Sequence, residues 1–422
     1  MKNNAAKKRL QVPSGYLIAG VDPHKKKHAV VLMTQDFTTH SKLKFDNTRE
    51  GFEMVLDRAR NEMLRQGCRG VMFAIETGAH HWRNLAYYLD ELGIPFRLIN
   101  QFTLKRRREG KDLDHHKNDY RDSEVAAQLL VTGEFTTPRL PQGVYAELRA
   151  TYSSYRRLVK EKTRTINLIK ALLDGIFPEF TQIFKNPCAK TAARVLMTGL
   201  APRDIAGMTE TEFVSIVQAG STGLIFKRRI GELHHIAQTS IGIAPGARSV
   251  ASEIACLMEQ SLLLEGQRRR MMETLEKIVH ETDEGKYLLS IPGLNYTSVA
   301  GILAELGSFS AYRNSRQLVK MAGSNPTESE SGGKRHSRTP ISKQGRPVLR
   351  YCAYTAVVPM MQFNADFRTW SKRLRERSPG ANPLSGREVM VAAINKLLRL
   401  CFTLVKKRDY YRSPVIENVT AG

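Results

Sequence analysis

The chain has 422 residues, 41% of them hydrophobic, enough for two or three domains with sizeable cores. Sixty-five Lys and Arg stand against 41 Asp and Glu, and the formal charge of +24 points to a polyanionic partner. The basic residues are spread along the whole chain, which favours nucleic acid over a membrane surface, and no apolar run approaches the ~20 residues needed to span a bilayer. Cys68, Cys188, Cys256, Cys352 and Cys401 are scattered, without metal-ligand pairing, and suggest a reducing cytosol and no zinc site.

The first residues, MKNNAAKKRLQVPSGY, are basic and lack a hydrophobic signal core, so they read as a disordered arm. Tyr16 to Met33 reads as an apolar strand, a polar turn carrying Lys25, Lys26 and Lys27, and a second strand. Asp22 falls late in the first strand, where a carboxylate needs a partner, a metal or an exposed strand end. A helix is expected over Phe45 to Ala59, behind Asn47 or Thr48. Gly70 to Glu76 is a continuous apolar run of strand length that ends in a carboxylate. A helix through Trp82 and Leu89 follows, then a third buried strand over Ile94 to Asn100 and a basic run, Lys105, Arg106, Arg107 and Arg108. Strand, helix, strand at these lengths is a βαβ unit, and Glu76 lies at the carboxyl end of a strand, where open α/β sheets place their sites.

His116 to Leu130 reads as a helix, with Val125, Ala126, Leu129 and Leu130 at helical spacing. Asp119 and Asp122, three apart in its front turns, share a face near the positive end of the helix dipole. Capping alone accounts for many such residues. Here, however, Asp22 and Glu76 also sit at element ends, and a ribonuclease-H-like fold gathers four acids in this way. Four carboxylates repel unless cations lie between them, and oxygen-rich clusters suit Mg²⁺ or Mn²⁺. Two such ions stabilise the attacking and leaving oxygens of an in-line phosphoryl displacement.

Two later segments carry heptad spacing, one from Leu148 to Ile176 and one from Val250 to Ile278. They predict a coiled coil, either an antiparallel stalk within one chain or a seam that also carries oligomer contacts. Phe177 to Pro245, with its prolines and glycines, reads as short helices and turns between them. Ile291-Pro292-Gly293-Leu294 before a small-residue-rich helix reads either as a helix-hairpin-helix turn that holds a phosphate or as a tight turn between core helices. Thr327 to Arg350 holds Lys334, Arg335, Arg338, Lys343, Arg346 and Arg350, with Ser331 ahead of Gly332-Gly333. A serine in such a loop binds phosphate, caps a turn, or acts as a nucleophile once a base or metal activates it. Helices over Pro347–Met361, Phe367–Arg377 and Glu388–Lys407 close the chain, the last with a capping-box start at Ser385 and Glu388. Trp370 and Phe402 read as core. The basic runs beside the acidic elements, and the lysines and arginines of the serine loop from Lys334 to Arg350, are assigned to phosphate contact.

The motifs GVDPHKKKHAVVL around Asp22, FAIETGAHHW around Glu76 and KNDYRDSEVAAQLL around Asp119 and Asp122 resemble the IS one-ten family of insertion-sequence recombinases. That family has a RuvC-like DEDD domain and includes the Piv-type pilin invertases. IPGLNYTSVAGILAELG and MAGSNPTESESGGKRHSRTPISKQGRPVLRYCAY are similar to its C-terminal transposase region. One departure is Ser123, where the family usually carries Ala. The resemblance implies an α/β plus α architecture. A RuvC-like domain occupies 1–138, a helical coiled-coil insertion 139–286, and a mostly helical domain with a catalytic serine 287–422.

The resemblance further implies a Mg²⁺-dependent DNA recombinase of a mobile element, with Asp22, Glu76, Asp119 and Asp122 as metal ligands. Ser331, or Ser329 if the alignment slips by two, is the implied nucleophile of a covalent phosphoserine link. The implied partners are target and donor DNA, a structured noncoding bridge RNA, and further copies of the chain in a dimer or tetramer, at the nucleoid in the cytoplasm. The rivals are a RuvC-like junction endonuclease or protein-only invertase, and a noncatalytic nucleic-acid scaffold.

Overall fold

The computed structural model describes residues 2–110, 119–219, 226–327, 330–331, 334–335, 340–376 and 383–413. The chain forms two compact units, residues 1–140 and 141–422.

The first unit is a mixed five-stranded sheet with helices on both faces. Helix α1 (Lys2–Arg9) precedes β1 (Tyr16–Asp22), β2 (Lys27–Met33), β3 (Thr39–Asp46), α2 (Arg49–Arg65), β4 (Gly70–Glu76), α3 (Trp82–Glu91), β5 (Phe96–Ile99), α4 (Gln101–Glu109) and α5 (Asp119–Val131). The strand order is β3-β2-β1-β4-β5. β1, β2 and β3 are antiparallel neighbours, whereas β4 pairs parallel with β1 and β5 parallel with β4. The continuous apolar runs of β1 and β4 follow from their central position, since both their faces are buried. Alternate side chains of β1 face opposite layers. Leu17, Ala19 and Val21 pack with Phe52, Val55 and Leu56 of α2 and with Leu85 and Leu89 of α3. Ile18 packs with Leu104 of α4 and with Val125, Ala126 and Leu129 of α5.

Two expectations need correction here. The arm is helical over Lys2–Arg9, because its basic residues find acceptors just past the end of α5: Lys8 Nζ donates to the Phe135 carbonyl and Arg9 Nε to that of Thr132, 3.0 Å away. Cations are favoured at a helix C-terminus. The helix expected from Phe45 begins at Arg49, behind Thr48, one of the two caps expected, whose Oγ1 accepts from the Gly51 amide, and Phe45 belongs to β3. β3 (THSKLKFD) is a polar edge strand whose lysines discourage further pairing, which hides its strand character.

The second unit is helical. Its axis is a pair of 34-residue helices, α6 (Gly143–Ile176) and α12 (Ala247–His280). They run antiparallel: Tyr145 Oη donates to Glu284, Lys162 Nζ lies 2.6 Å from Glu265, and the Ile243 amide donates to the Gly175 carbonyl at 2.9 Å. Between them in sequence lie α7 (Phe180–Ile183), α8 (Lys190–Met197), α9 (Pro202–Ala206), α10 (Glu210–Gln218) and α11 (Lys227–Ala237), which close a core around Ile169, Leu173 and Ile254. The other ends of α6 and α12, at Leu148, Tyr152, Leu275 and Val279, enter a core shared with the remaining helices. These are α13 (Gly285–Leu289), α14 (Tyr296–Leu306), α15 (Ser315–Ala322), α16 (Pro347–Phe363), α17 (Ala365–Arg375) and α18 (Gly386–Lys407). A short antiparallel ladder, β6 (Glu330–Ser331) with β7 (Lys334–Arg335), precedes α16.

The Ser385–Glu388 capping box is formed, and Trp370 and Phe402 pack partly buried on the core. At the Ile291–Leu294 turn Gly293 has φ +94° and lies so close to α16 that a Cβ there would meet Met360 Cα at 2.7 Å. The turn is packed between core helices.

Candidate functional site: an acidic pocket at the strand ends

Strand parity aims the acids. Ile18, Gly20 and Asp22 share one face of β1, and Met72, Ala74 and Glu76 share the same face of β4, the face covered by α5. Helix α5 comes close enough because position 20 is glycine: a Cβ there would stand 1.9 Å from the Ser123 carbonyl oxygen and 2.9 Å from Ala127 Cβ. Ser123 is fully buried and donates to the carbonyls of Ala29 (3.1 Å) and Asp119 (3.0 Å), fastening the first turn of α5 to β2. Asp119 and Asp122 therefore arrive over the ends of β1 and β4.

Two donor clusters result, and they share Asp22. Carboxylate oxygens of Asp22, Glu76 and Asp122, all buried, lie within 4.8 Å of one another. Donors of Asp22, His24 and Asp119 form the second cluster within the same limit. The four acids inferred from the sequence thus lie in one pocket. His24, which stands in the β1–β2 turn, was not singled out there; its position two residues after Asp22 is the signal that could have found it.

The electrostatics are those of a site short of positive charge. Burial raises the Asp22 carboxyl above the ordinary range, opposed by His24 and reinforced by Asp122. Burial, then the neighbouring Asp22 and Asp122, push Glu76 up to about 8, and the Glu76 and Asp22 carboxyls share a hydrogen bond. Arg108 Nη1 lies 2.7 Å from each oxygen of Asp122. Asp119 is held below its usual range first by Lys44, whose Nζ is 2.8 Å from Oδ2. Lys44 on β3 is a second residue that the sequence reading missed, because the strand itself was missed. Buried like charges need a proton or a cation between them. A pocket lined by hard carboxylate oxygens fits a divalent metal.

The basic residues assigned to phosphate divide into groups. Lys25 and Lys26 are exposed in the turn beside Asp22, and Lys27, exposed at the start of β2, has its Nζ 3.8 Å from Asp46. On α4, Lys105 pairs with Glu109 at 3.7 Å, Arg107 with Glu134 at 3.9 Å, and Arg108 with Asp122, while Arg106 is exposed. In the second unit Arg346 donates to the Glu305 carbonyl and Arg350 to that of Ala322 at 2.8 Å, each at the C-terminal end of a helix. Lys343 is exposed, with φ +51°. Ser331, Lys334 and Arg335 lie on the β6–β7 ladder, and Ser329 and Arg338 fall outside the described residues.

Residues 19–178 match the family model described as the DEDD transposase of IS110, and residues 285–372 match the transposase IS116/IS110/IS902 family. An uncharacterized 44.8 kDa protein of insertion element IS116 from Streptomyces clavuligerus is 22% identical over 80% of this chain and 84% of its own length. The transposase for insertion sequence element IS1111A of Coxiella burnetii is 25% identical over 83% of this chain and 80% of its own length. A pilin gene-inverting protein of Moraxella bovis is 22% identical over 31% of this chain and 39% of its own.

Proposed function

We propose that this chain, which matches two IS110-type transposase family models in order over residues 19–178 and 285–372, cuts and rejoins DNA strands for a mobile insertion sequence. The observation that carries this reading is the convergence of Asp22, Glu76, Asp119 and Asp122 at the ends of two parallel strands and one helix. The strand order with three antiparallel strands ahead of two parallel ones supports an RNase-H-like, RuvC-like domain for residues 1–138. Helical residues 139–286 and a transposase domain over 287–422 complete the chain.

Asp22, Glu76, Asp119 and Asp122 hold Mg²⁺ or Mn²⁺. Such ions supply charge neutralisation at the scissile phosphate and at the oxygens that attack and leave. The protein's own residues do the positioning. Asp22 faces both donor clusters, and Ser123 and Gly20 fix how closely α5 approaches it. Lys25, Lys26 and Lys27 extend the pocket's rim with positive charge for the DNA backbone. Lys334, Arg335, Arg338 and Lys343 do the same around the serine loop.

Ser331 is the nucleophile in this reading, with Ser329 as the fallback. Its hydroxyl gives up a proton as a serine oxygen–phosphorus bond forms. The phosphorus–oxygen bond to the departing strand breaks, and the released sugar oxygen takes up a proton. The phosphoserine link keeps the phosphodiester energy for rejoining, when the same bonds exchange in reverse. The family resemblance adds that the serine of one subunit works beside the acids of another, and that a noncoding bridge RNA selects target and donor. The charge of +24 suits a protein that holds both RNA and DNA.

The test is to trap the protein on a nicked suicide substrate and map the attached residue by mass spectrometry. Covalent DNA on Ser331, lost in Ser331→Ala and retained in Ser329→Ala, is the expected result. Strand cleavage without any protein–DNA adduct points instead to a hydrolytic, junction-resolving nuclease.

A further inference from the structure

The second donor cluster contains a nitrogen. We propose that His24 is a metal ligand, so that the pocket holds two chemically different sites bridged by Asp22: a buried all-oxygen site and a half-exposed mixed site that prefers Mn²⁺ to Mg²⁺. The proposal rests on reading the acids as a cation pocket.

Its first support is distance. His24 Nε2 lies 3.4 Å from Asp22 Oδ2 and 3.5 Å from Asp119 Oδ1. Both separations are long for an N–H···O hydrogen bond, which clusters near 2.9–3.0 Å. They are the separations of donors that share one ion, since metal–ligand bonds of about 2.1 Å put tetrahedral donors about 3.4 Å apart and neighbouring octahedral donors about 3.0 Å apart.

Orientation is the second support. Lys44 engages Oδ2 of Asp119, which leaves Oδ1 facing the imidazole. The His24 amide donates to Nδ1 of His28 at 3.0 Å, and the fully buried His28 ring is wedged between Phe45 and Phe52 with centroid distances of 5.1 and 6.0 Å. The turn that carries His24 is therefore anchored in the core while its side chain stays 47% exposed, open to solvent and substrate. Buried carboxylates suit the hard Mg²⁺ ion, whereas an imidazole nitrogen is a poor donor to Mg²⁺ and is better tolerated by the softer Mn²⁺. Asp22 belongs to both donor clusters and would serve both ions.

The test is electron spin-echo spectroscopy on the full-length protein loaded with Mn²⁺, read for nitrogen modulation from a directly bound imidazole. Wild-type protein is expected to bind two Mn²⁺ with nitrogen modulation that changes character when its histidines carry ¹⁵N. In His24→Ala the modulation disappears and the weaker ion binds about tenfold less tightly or worse, while the stronger ion is retained. A His80→Ala/His81→Ala variant, changed in the neighbouring loop, keeps the signal. Mn²⁺ bound without histidine-nitrogen modulation in the wild type overturns the His24 assignment and leaves the acidic pocket standing. No Mn²⁺ bound at all overturns the pocket itself. The labelled wild type decides the question even if His24→Ala fails to fold.

Discussion

Arg108 directs a single nitrogen, Nη1, at both oxygens of Asp122, 2.7 Å from each. Asp122 is buried and Arg108 is partly exposed, and the guanidinium neutralises a carboxylate that faces the shared pocket. A divalent ion bound there competes for the same charge. Arg108→Ala is expected to destabilise the metal-free protein by about 1–3 kcal/mol, because it leaves a buried carboxylate unpaired. The same change is expected to tighten Mg²⁺ binding several-fold. Thermal melts in chelator and a calorimetric Mg²⁺ titration check the pair of effects, whose opposite signs separate competition from simple damage.

Glu76 gives the pocket a pH signature. Its folded-state value of about 8 lies above the ordinary 4.5, chiefly through burial and then Asp22 and Asp122. For an acid raised in this way, the contribution to stability is fully present below pH 4.5 and is lost as pH rises through about 8. In chelator, the melting temperature of the wild type should therefore fall between pH 6 and 8.5 relative to that of Glu76→Gln. Saturating Mg²⁺ should remove most of the difference, since the ion replaces the proton. Parallel pH profiles of the two proteins in chelator would refute the assignment.

Gly20 sets the separation of α5 from β1. A methyl group 1.9 Å from the Ser123 carbonyl oxygen has no room, and that atom, like the Ala127 nitrogen 2.9 Å away, is backbone that cannot swing aside. Gly20→Ala should cost several kcal/mol, within the range of overpacked cores, and should weaken divalent-ion binding by moving Asp119 and Asp122 away from Asp22. Denaturant unfolding and Mn²⁺ titration check both halves. Gly67, with φ +64° and open space around it, provides a contrast: Gly67→Asn should be nearly neutral for ion binding.

Much of this pocket was legible because its elements are central and periodic. β1 and β4 are apolar on both faces, so their lone acids stood out, and the carboxylates of α5 were readable from a spacing of three. What the sequence concealed lies at the edge. β3 alternates over only two apolar positions, Leu43 and Phe45, and of these Phe45 alone is fully buried, so its polar first half and its lysines conceal the strand. Lys44, and with it the reason for Asp119's orientation, was lost along with the strand. His24 looked like part of a basic turn, since nothing local reveals that Asp119 folds back to meet it. Arg346 and Arg350 were assigned to phosphate by charge alone, yet their donors reach helix-end carbonyls that only tertiary structure supplies. The arm's helix likewise depends on acceptors more than a hundred residues away.

In the second unit, Glu265 links the two long helices, 2.6 Å from Lys162 across the pair and 2.6 Å from Arg268 on its own helix. Arg268, then Lys162, hold its carboxyl down to about 2 despite partial burial. A lowered acid stabilises above its unfolded value and loses that contribution as pH falls towards 2. Glu265→Gln should be less stable than wild type by about 1 kcal/mol at pH 7, with the gap closing between about pH 4.5 and 2. Urea unfolding at several pH values measures it.

The central claim is that one shared acidic pocket performs strand exchange. Its most direct test is recombination in a host lacking the element, from a plasmid that carries the whole insertion sequence with its flanking noncoding segments. Asp22→Asn, Glu76→Gln, Asp119→Asn and Asp122→Asn are each introduced into a protein shown to remain folded. Loss of recombinant joints by at least about a hundredfold in every variant is the predicted result, as expected when removed groups act as a unit. Wild-type joint formation in any one of the four would contradict it.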